Sequence, residues 1–169
     1  CRLWLSEACA ATYTARRRQM TGPVGCGLCG VESLELAGRD PFLSDFRQSV
    51  RDSTEKHAFV FIHGYNVMFR EAALRTAQLK HDLNFDDPAA LFSWPSRGSL
   101  LSYATDEETV NLTERSGVLQ EFLADLINET GAESIHLIAH SMGNRALTRA
   151  FETLPDKKNS RGEKTINQL

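Results

Sequence analysis

No histidine follows residue 140 of this 169-residue chain, and no cysteine follows residue 29. Nor is there an apolar run near the roughly 20 residues that a membrane-spanning helix needs, so no membrane span is expected. Net charge is only −3, and without a basic excess the chain lacks the electrostatic footprint of a nucleic-acid binder. Position 1 is not methionine, and Cys1-Arg2-Leu3-Trp4 does not have the form of a signal peptide. The expectation is a chain that begins inside a longer reading frame, with a cytoplasmic location favoured. What is present suits a globular fold: 41% hydrophobic and 24% charged residues are ordinary for one domain of this length.

Cysteine and charge are unevenly spread. Up to Gly30 the chain carries Arg2, Arg16, Arg17 and Arg18 against Glu7 alone, together with all four cysteines, Cys1, Cys9, Cys26 and Cys29. This shift in composition predicts two segments, residues 1–38 and 39–169, joined near Ala37-Gly38-Arg39-Asp40. In the first, Ser6 to Met20 reads as a helix with Arg16-Arg17-Arg18 near its C-terminal end, where cations suit the dipole. Thr21-Gly22-Pro23-Val24-Gly25-Cys26-Gly27-Leu28-Cys29-Gly30 then breaks into a tight loop. Cys26 and Cys29 can form a redox pair, supply half a zinc site, or be two plain loop thiols. Cys1 and Cys9 do not provide the second close pair that zinc requires, so neither metal nor cofactor is expected.

The blocks Cys1-Arg2-Leu3-Trp4-Leu5, Arg16-Arg17-Arg18 and Thr21 to Leu34 resemble the formate dehydrogenase accessory sulfurtransferase family. The resemblance covers about the first 36 residues. It implies that Cys26 and Cys29 relay sulfur from a cysteine desulfurase towards the molybdenum cofactor of formate dehydrogenase.

The second segment reads as alternating strands and helices. Asp40-Pro41-Phe42 suggests an N-cap with proline at the first helical position, followed by Phe42, Phe46 and Val50 at helical spacing. Ala58-Phe59-Val60-Phe61-Ile62 is a continuous apolar run, the mark of a parallel strand covered on both faces. A helix is expected from Val67 to about Leu83, capped by Asn66, and a second buried strand over Ala90 to Trp94. Leu100 to Asn111 is irregular and suits a lid or substrate-contacting loop. Val118, Leu119, Phe122, Leu123, Leu126 and Ile127 make one apolar helix face. Ile135-His136-Leu137-Ile138 is a third strand, and a helix runs from Asn144 to about Leu154. The pattern predicts an α/β fold, a doubly wound and mostly parallel sheet, with a short loop/helix segment in front.

Between that third strand and its helix stands Ala139-His140-Ser141-Met142-Gly143. A serine on a sharp turn between a buried strand and a helix is an exposed nucleophile, and acyl transfer adds a histidine to take its proton and an acid to orient that histidine. Negative charge on the former carbonyl oxygen is met by backbone N–H groups. Met142 would supply one and Tyr65, in the His63-Gly64-Tyr65 loop after the first strand, the other. The competing reading makes Ser141 an ordinary helix N-cap. All five histidines, His57, His63, His81, His136 and His140, precede Ser141. His63 and His140 read as structural neighbours of the site, His140 with its side chain pointing away from the serine. His57, His81 and His136 read as surface or strand positions without chemistry. Ser93 and Ser96 are read as having no base nearby.

Val60 to Asn66, Leu91 to Gly98 and Ile135 to Arg145 resemble a bacterial α/β-hydrolase family, domain of unknown function number 900, described as esterase- or lipase-like. The resemblance runs from about Phe42 to the C-terminus. It implies ester hydrolysis through a Ser141 acyl-enzyme, with the Tyr65 and Met142 amides as oxyanion donors and a small-molecule ester as substrate. Lys164 to Leu169 reads as the opening of a further strand, and Asp156 and Glu163 fall in a charged loop before it. The expectation is thus a hydrolase sheet truncated after its nucleophile helix, without its triad histidine and acid, weakly active or inactive, and open to self-association through an unfinished edge.

Overall fold

A computed structural model describes residues 2–5, 13–14, 38–96, 111, 117–152, 154 and 166–168. Six strands form one sheet in the order β2-β1-β4-β3-β5-β6. Its centre is β3 (His57–Ile62), flanked in parallel by β4 (Ala89–Ser93) and β5 (Ser134–Ala139). Outside these lie β1 (Arg2–Leu5), parallel to β4, and β6 (Ile166–Gln168), parallel to β5. Tyr13–Thr14, β2, runs antiparallel to β1. The sheet is mostly parallel, as the sequence pattern requires, and β6 lies where the chain reads as opening another strand.

Helices cover both faces because β3 has an apolar side chain at every position after His57. Alternate residues point to opposite faces of a strand. Ala58, Val60 and Ile62 therefore join one core with Ala90, Phe92, Ile135 and Leu137. Packed on this face are α1 (Arg39–Asp52), α3 (Val118–Glu129) and α4 (Gly143–Phe151), through residues such as Phe46, Phe122 and Leu147. Phe59 and Phe61 point the other way, joining Ala89, Leu91 and the small Ala72 and Ala73 of α2 (Phe69–Asp82).

Several local expectations need correction. Tyr13–Thr14 is a strand inside the stretch that reads as a helix from Ser6 to Met20, and residues 2–5 also form a strand. Leu3-Trp4-Leu5 and Tyr13-Thr14 suit an extended backbone, and the β4 edge offers unpaired backbone groups to extend onto. The N-terminal segment is thus not simply loop and helix: its first strand belongs to the same sheet as the hydrolase-like segment. Helix α1 begins before Asp40, because the Gly38 carbonyl accepts the Phe42 N–H at 3.2 Å. Asp40 instead occupies the first turn, beside Arg39. Asn66 does not cap α2. It takes a left-handed φ of 57°, and the cap is Met68, whose N–H donates to the Glu71 carboxylate at 3.0 Å. The Cys26/Cys29 loop, Asp156 and Glu163 lie outside the described residues, as does the expected lid except Asn111.

Arg39 ties α1 to α3 by donating to Asp125 at 2.7 and 2.6 Å and to Glu129 at 2.6 Å. These carboxylates hold its guanidinium in the charged form, with Asp125 contributing most. No helix among the described residues is long and apolar enough to cross a membrane.

At the end of the sheet where β3 begins, His136 stands edge-on to His57 at 5.5 Å and to Phe85 at 6.0 Å. Its Nδ1 is buried, with no hydrogen-bond partner among the described residues. Burial, then the neighbouring His57 charge, push the His136 imidazole below its ordinary value of 6.5, with Asp87 opposing. An unfolded chain then binds more protons than the folded one below pH 6.5, so this group's contribution to stability falls on acidification. Chemical denaturation from pH 7.5 to 5.5 should show stability declining below about pH 6.5, and His136→Gln should reduce that slope. Equal slopes in both proteins would contradict the assignment. Phe46→Ala, which empties a fully buried site between α1 and its neighbours, should cost about 3–5 kcal/mol in the same assay.

Candidate active site

Strands β3, β4 and β5 are parallel, so their C-terminal ends lie at one edge of the sheet, the edge where open α/β sheets bind ligands. Three short segments meet there: His63-Gly64-Tyr65 after β3, Trp94 after β4 and His140-Ser141-Met142 after β5.

Ser141 sits at the sharp bend between β5 and α4 with φ at 53°, a left-handed conformation that costs a non-glycine residue of order 1–3 kcal/mol. Neighbouring contacts hold the bend in place. The His140 N–H donates to Ile62 O at 3.0 Å, anchoring the approach to β3. On the exit side, the Gly143 N–H bonds His140 O at 2.9 Å and the Asn144 N–H bonds Ser141 O at 3.0 Å. Asn144 Nδ2 reaches back to Ala139 O at 3.2 Å, closing the turn with a side chain. Helix α4 starts at Gly143, and Ser141 Oγ accepts no hydrogen bond from its first N–H groups among the described residues, so the side chain does not cap the helix. As a residue at the helix start, Met142 has an N–H with no intrahelical carbonyl to meet.

Two glycines permit this bend to lie against β3. A Cβ on Gly64 would come within 2.6 Å of His140 O, 2.7 Å of His140 Nδ1 and 2.8 Å of Ser141 Cβ. A Cβ on Gly143 would meet the carbonyl oxygens of His63 and Ile62, each at 2.7 Å. Both positions therefore need a residue without a side chain. Gly143, the last residue of the motif, has its partner in β3. The motif's first position tolerates Ala139, which ends β5 and packs partly buried against the core.

The same distances correct the expectation for His140. Its ring reaches the same small volume beside Gly64 as Ser141 Cβ, so it does not point away from the site. The left-handed turn at Ser141 breaks the strict alternation of a strand, and consecutive side chains no longer face opposite ways. No histidine is hydrogen-bonded to the Ser141 hydroxyl among the described residues.

His63 is 1% exposed and both ring nitrogens are engaged. The Trp94 backbone N–H donates to Nε2 at 3.1 Å, and Nδ1 lies 3.0 Å from Gly64 O. A backbone N–H can only donate, so Nε2 is the unprotonated nitrogen and Nδ1 carries the hydrogen, given to Gly64 O. Trp94 Nε1–H donates to His63 O at 2.8 Å, and the two rings stack at 5.1 Å with 10° between their planes. Ser93 Oγ lies 3.0 Å from His63 Nε2. This serine thus does have an imidazole beside it, contrary to the sequence reading, but the pair is buried and Nε2 is already occupied by Trp94. Trp94 and Asn144 are the two site-shaping side chains that motif reasoning missed. Trp94 followed a strand and read as its apolar end, and Asn144 read only as the start of a helix.

His57 and His136 lie at the far end of the strands and His81 on exposed α2, away from Ser141. Lys80 also belongs to that far region. It donates to the carbonyls of Asp86, at 2.9 Å, and Asp87, and burial lowers its pKa. No cluster of three or more metal-ligating side chains occurs among the described residues.

A family model described as an alpha/beta hydrolase of unknown function (DUF900) matches residues 39–169. The chain is also similar to the sulfur carrier protein FdhD of Agrobacterium fabrum, at 44% identity over 75 residues, covering 44% of this chain and 23% of that protein. FdhD of Bordetella petrii is 36% identical over 90 residues, 53% of this chain and 28% of the relative. An uncharacterised protein of Nostoc sp. is 26% identical over 134 residues, 64% of this chain and 34% of its own. The chain spans about a quarter of the length of these sulfur carriers and a third of the Nostoc protein. Both sulfur-carrier alignments are longer than the stretch before residue 39 and longer than the resemblance read from the sequence, so they overlap the hydrolase match. No solved structure matches the chain. With a family model spanning most of its length and a strand–bend–helix at Ser141, the chain belongs to the alpha/beta hydrolases of unknown function (DUF900).

Proposed function

We propose that the site performs acyl hydrolysis of a small-molecule ester through Ser141. The observation that carries this reading is the left-handed bend at Ser141, held against Gly64 at the C-terminal edge of a parallel sheet. The bend lifts the hydroxyl out of both strand and helix, leaving it exposed to attack a carbonyl carbon. The tetrahedral intermediate would place its oxyanion between the N–H groups of Met142 and Tyr65, with Gly64 giving the close approach. Proton removal needs a base, and no histidine follows Ser141 in the sequence or bonds its hydroxyl. The two segments, 1–38 and 39–169, are proposed as units of different origin that share a sheet.

A second reading concerns Cys26 and Cys29. The similarity to two sulfur carriers favours a sulfur-carrying role for the N-terminal segment. Incubation with a cysteine desulfurase and cysteine, followed by intact mass, should add the mass of one sulfur at either thiol if this reading holds. Its absence would remove the reading.

Intact-mass analysis with a fluorophosphonate should show a single slow adduct, mapped to Ser141 and lost in Ser141→Ala. An unmodified protein, or an adduct elsewhere, would count against this nucleophile. Hydrolysis of a nitrophenyl ester by the chain alone should lie about 10³-fold or more below that of a complete triad enzyme. Gly64→Ala and Gly143→Ala each force a backbone shift, so each should reduce adduct formation and cost about 1–3 kcal/mol in denaturant unfolding.

A further inference from the structure

We propose that His63, clamped by Trp94, is a positioning residue: as a neutral imidazole it sets the direction of the Tyr65 N–H. The inference rests on the reading of Ser141 as nucleophile with that N–H as an oxyanion donor. Gly64 and Tyr65 are joined by one peptide unit, which carries Gly64 O and the Tyr65 N–H. A trans peptide is planar, with its C=O and N–H pointing in opposite directions, and no cis peptide occurs among the described residues. A bond that fixes Gly64 O therefore fixes the Tyr65 N–H as well. That bond comes from His63 Nδ1–H, at 3.0 Å.

Trp94 makes the imidazole able to do this. Its backbone N–H occupies Nε2 and so selects the tautomer whose hydrogen sits on Nδ1. The indole Nε1–H holds His63 O, while the stacked rings resist rotation of the imidazole. The same His63 oxygen lies against Gly143, and Gly64 lies against Ser141 Cβ. One buried side-chain pair thereby refers the β3 loop and the nucleophile bend to a common frame. Moving the hydrogen to Nε2 would set two donors against each other at Trp94 and leave Gly64 O unbonded. His63 serves in one tautomer only and is not the base for Ser141 or for Ser93.

Nitrogen-detected NMR of the intact chain tests the tautomer, and the order parameter of the Tyr65 amide tests the consequence. The wild type should show Nδ1 protonated and Nε2 free of hydrogen, with Tyr65 near the rigid-backbone value of about 0.85. His63→Asn places an amide nitrogen where Nδ1 stood and should keep Tyr65 rigid. His63→Ala should drop it below about 0.6 and slow the fluorophosphonate reaction by about tenfold or more. An Nε2–H tautomer in the wild type would overturn the proposal even if no variant folds. So would a Tyr65 amide equally rigid in His63→Ala. The expected tautomer and order parameters without any Ser141 adduct would leave the positioning intact and reject the nucleophile.

Discussion

The close approach of two backbones governs this structure: the loop after β3 and the bend after β5 touch where neither can carry a side chain. Gly64 faces His140 and Ser141, and Gly143 faces Ile62 and His63. Each contact lies below the distance a Cβ would need, so the two glycines interlock the segments. The cost of the left-handed φ at Ser141 is met by this interlock and by the backbone bonds on either side of the bend.

That contact depends in turn on the sheet. Strand β3 is buried on both faces, pairs with β4 on one side and β5 on the other, and so brings three strand ends together. His63 and Trp94, from the ends of β3 and β4, form a buried pair, and the bend after β5 lies against it through Gly143. The opposite end of the sheet holds His57 and His136, with Lys80 of α2 bonded to the carbonyls of Asp86 and Asp87, all away from Ser141. The N-terminal segment enters the same framework through backbone pairing along β4, from Arg2 opposite Ala90 to Leu5 opposite Ser93. Two stretches of different composition are therefore joined by hydrogen bonds as well as by sequence.

Most of the α/β framework was legible because it is written in periodicity. Continuous apolar runs marked β3 and β4, and Phe42, Phe46 and Val50 marked the buried face of α1. The bend at Ser141 was legible because strand, motif and helix stand consecutively in the chain. Features set by distant residues were not. The tautomer of His63 depends on Trp94, 31 positions away. The side on which the His140 ring falls depends on a φ angle that a residue name does not specify. The caps of α1 and α2 moved because backbone carbonyls and Glu71 were better placed than Asp40 and Asn66. Strand β1 was hidden because its parallel partner β4 is more than seventy positions further on, and β2 because its place depends on β1.

A crystal structure of the chain after phosphonylation tests the central claim most directly. The account predicts phosphorus bonded to Ser141 Oγ, with the phosphonyl oxygen about 2.7–3.1 Å from the amide nitrogens of both Tyr65 and Met142. A phosphonyl oxygen turned to solvent, or a Ser141 that has left the left-handed bend for a regular helix, would contradict it.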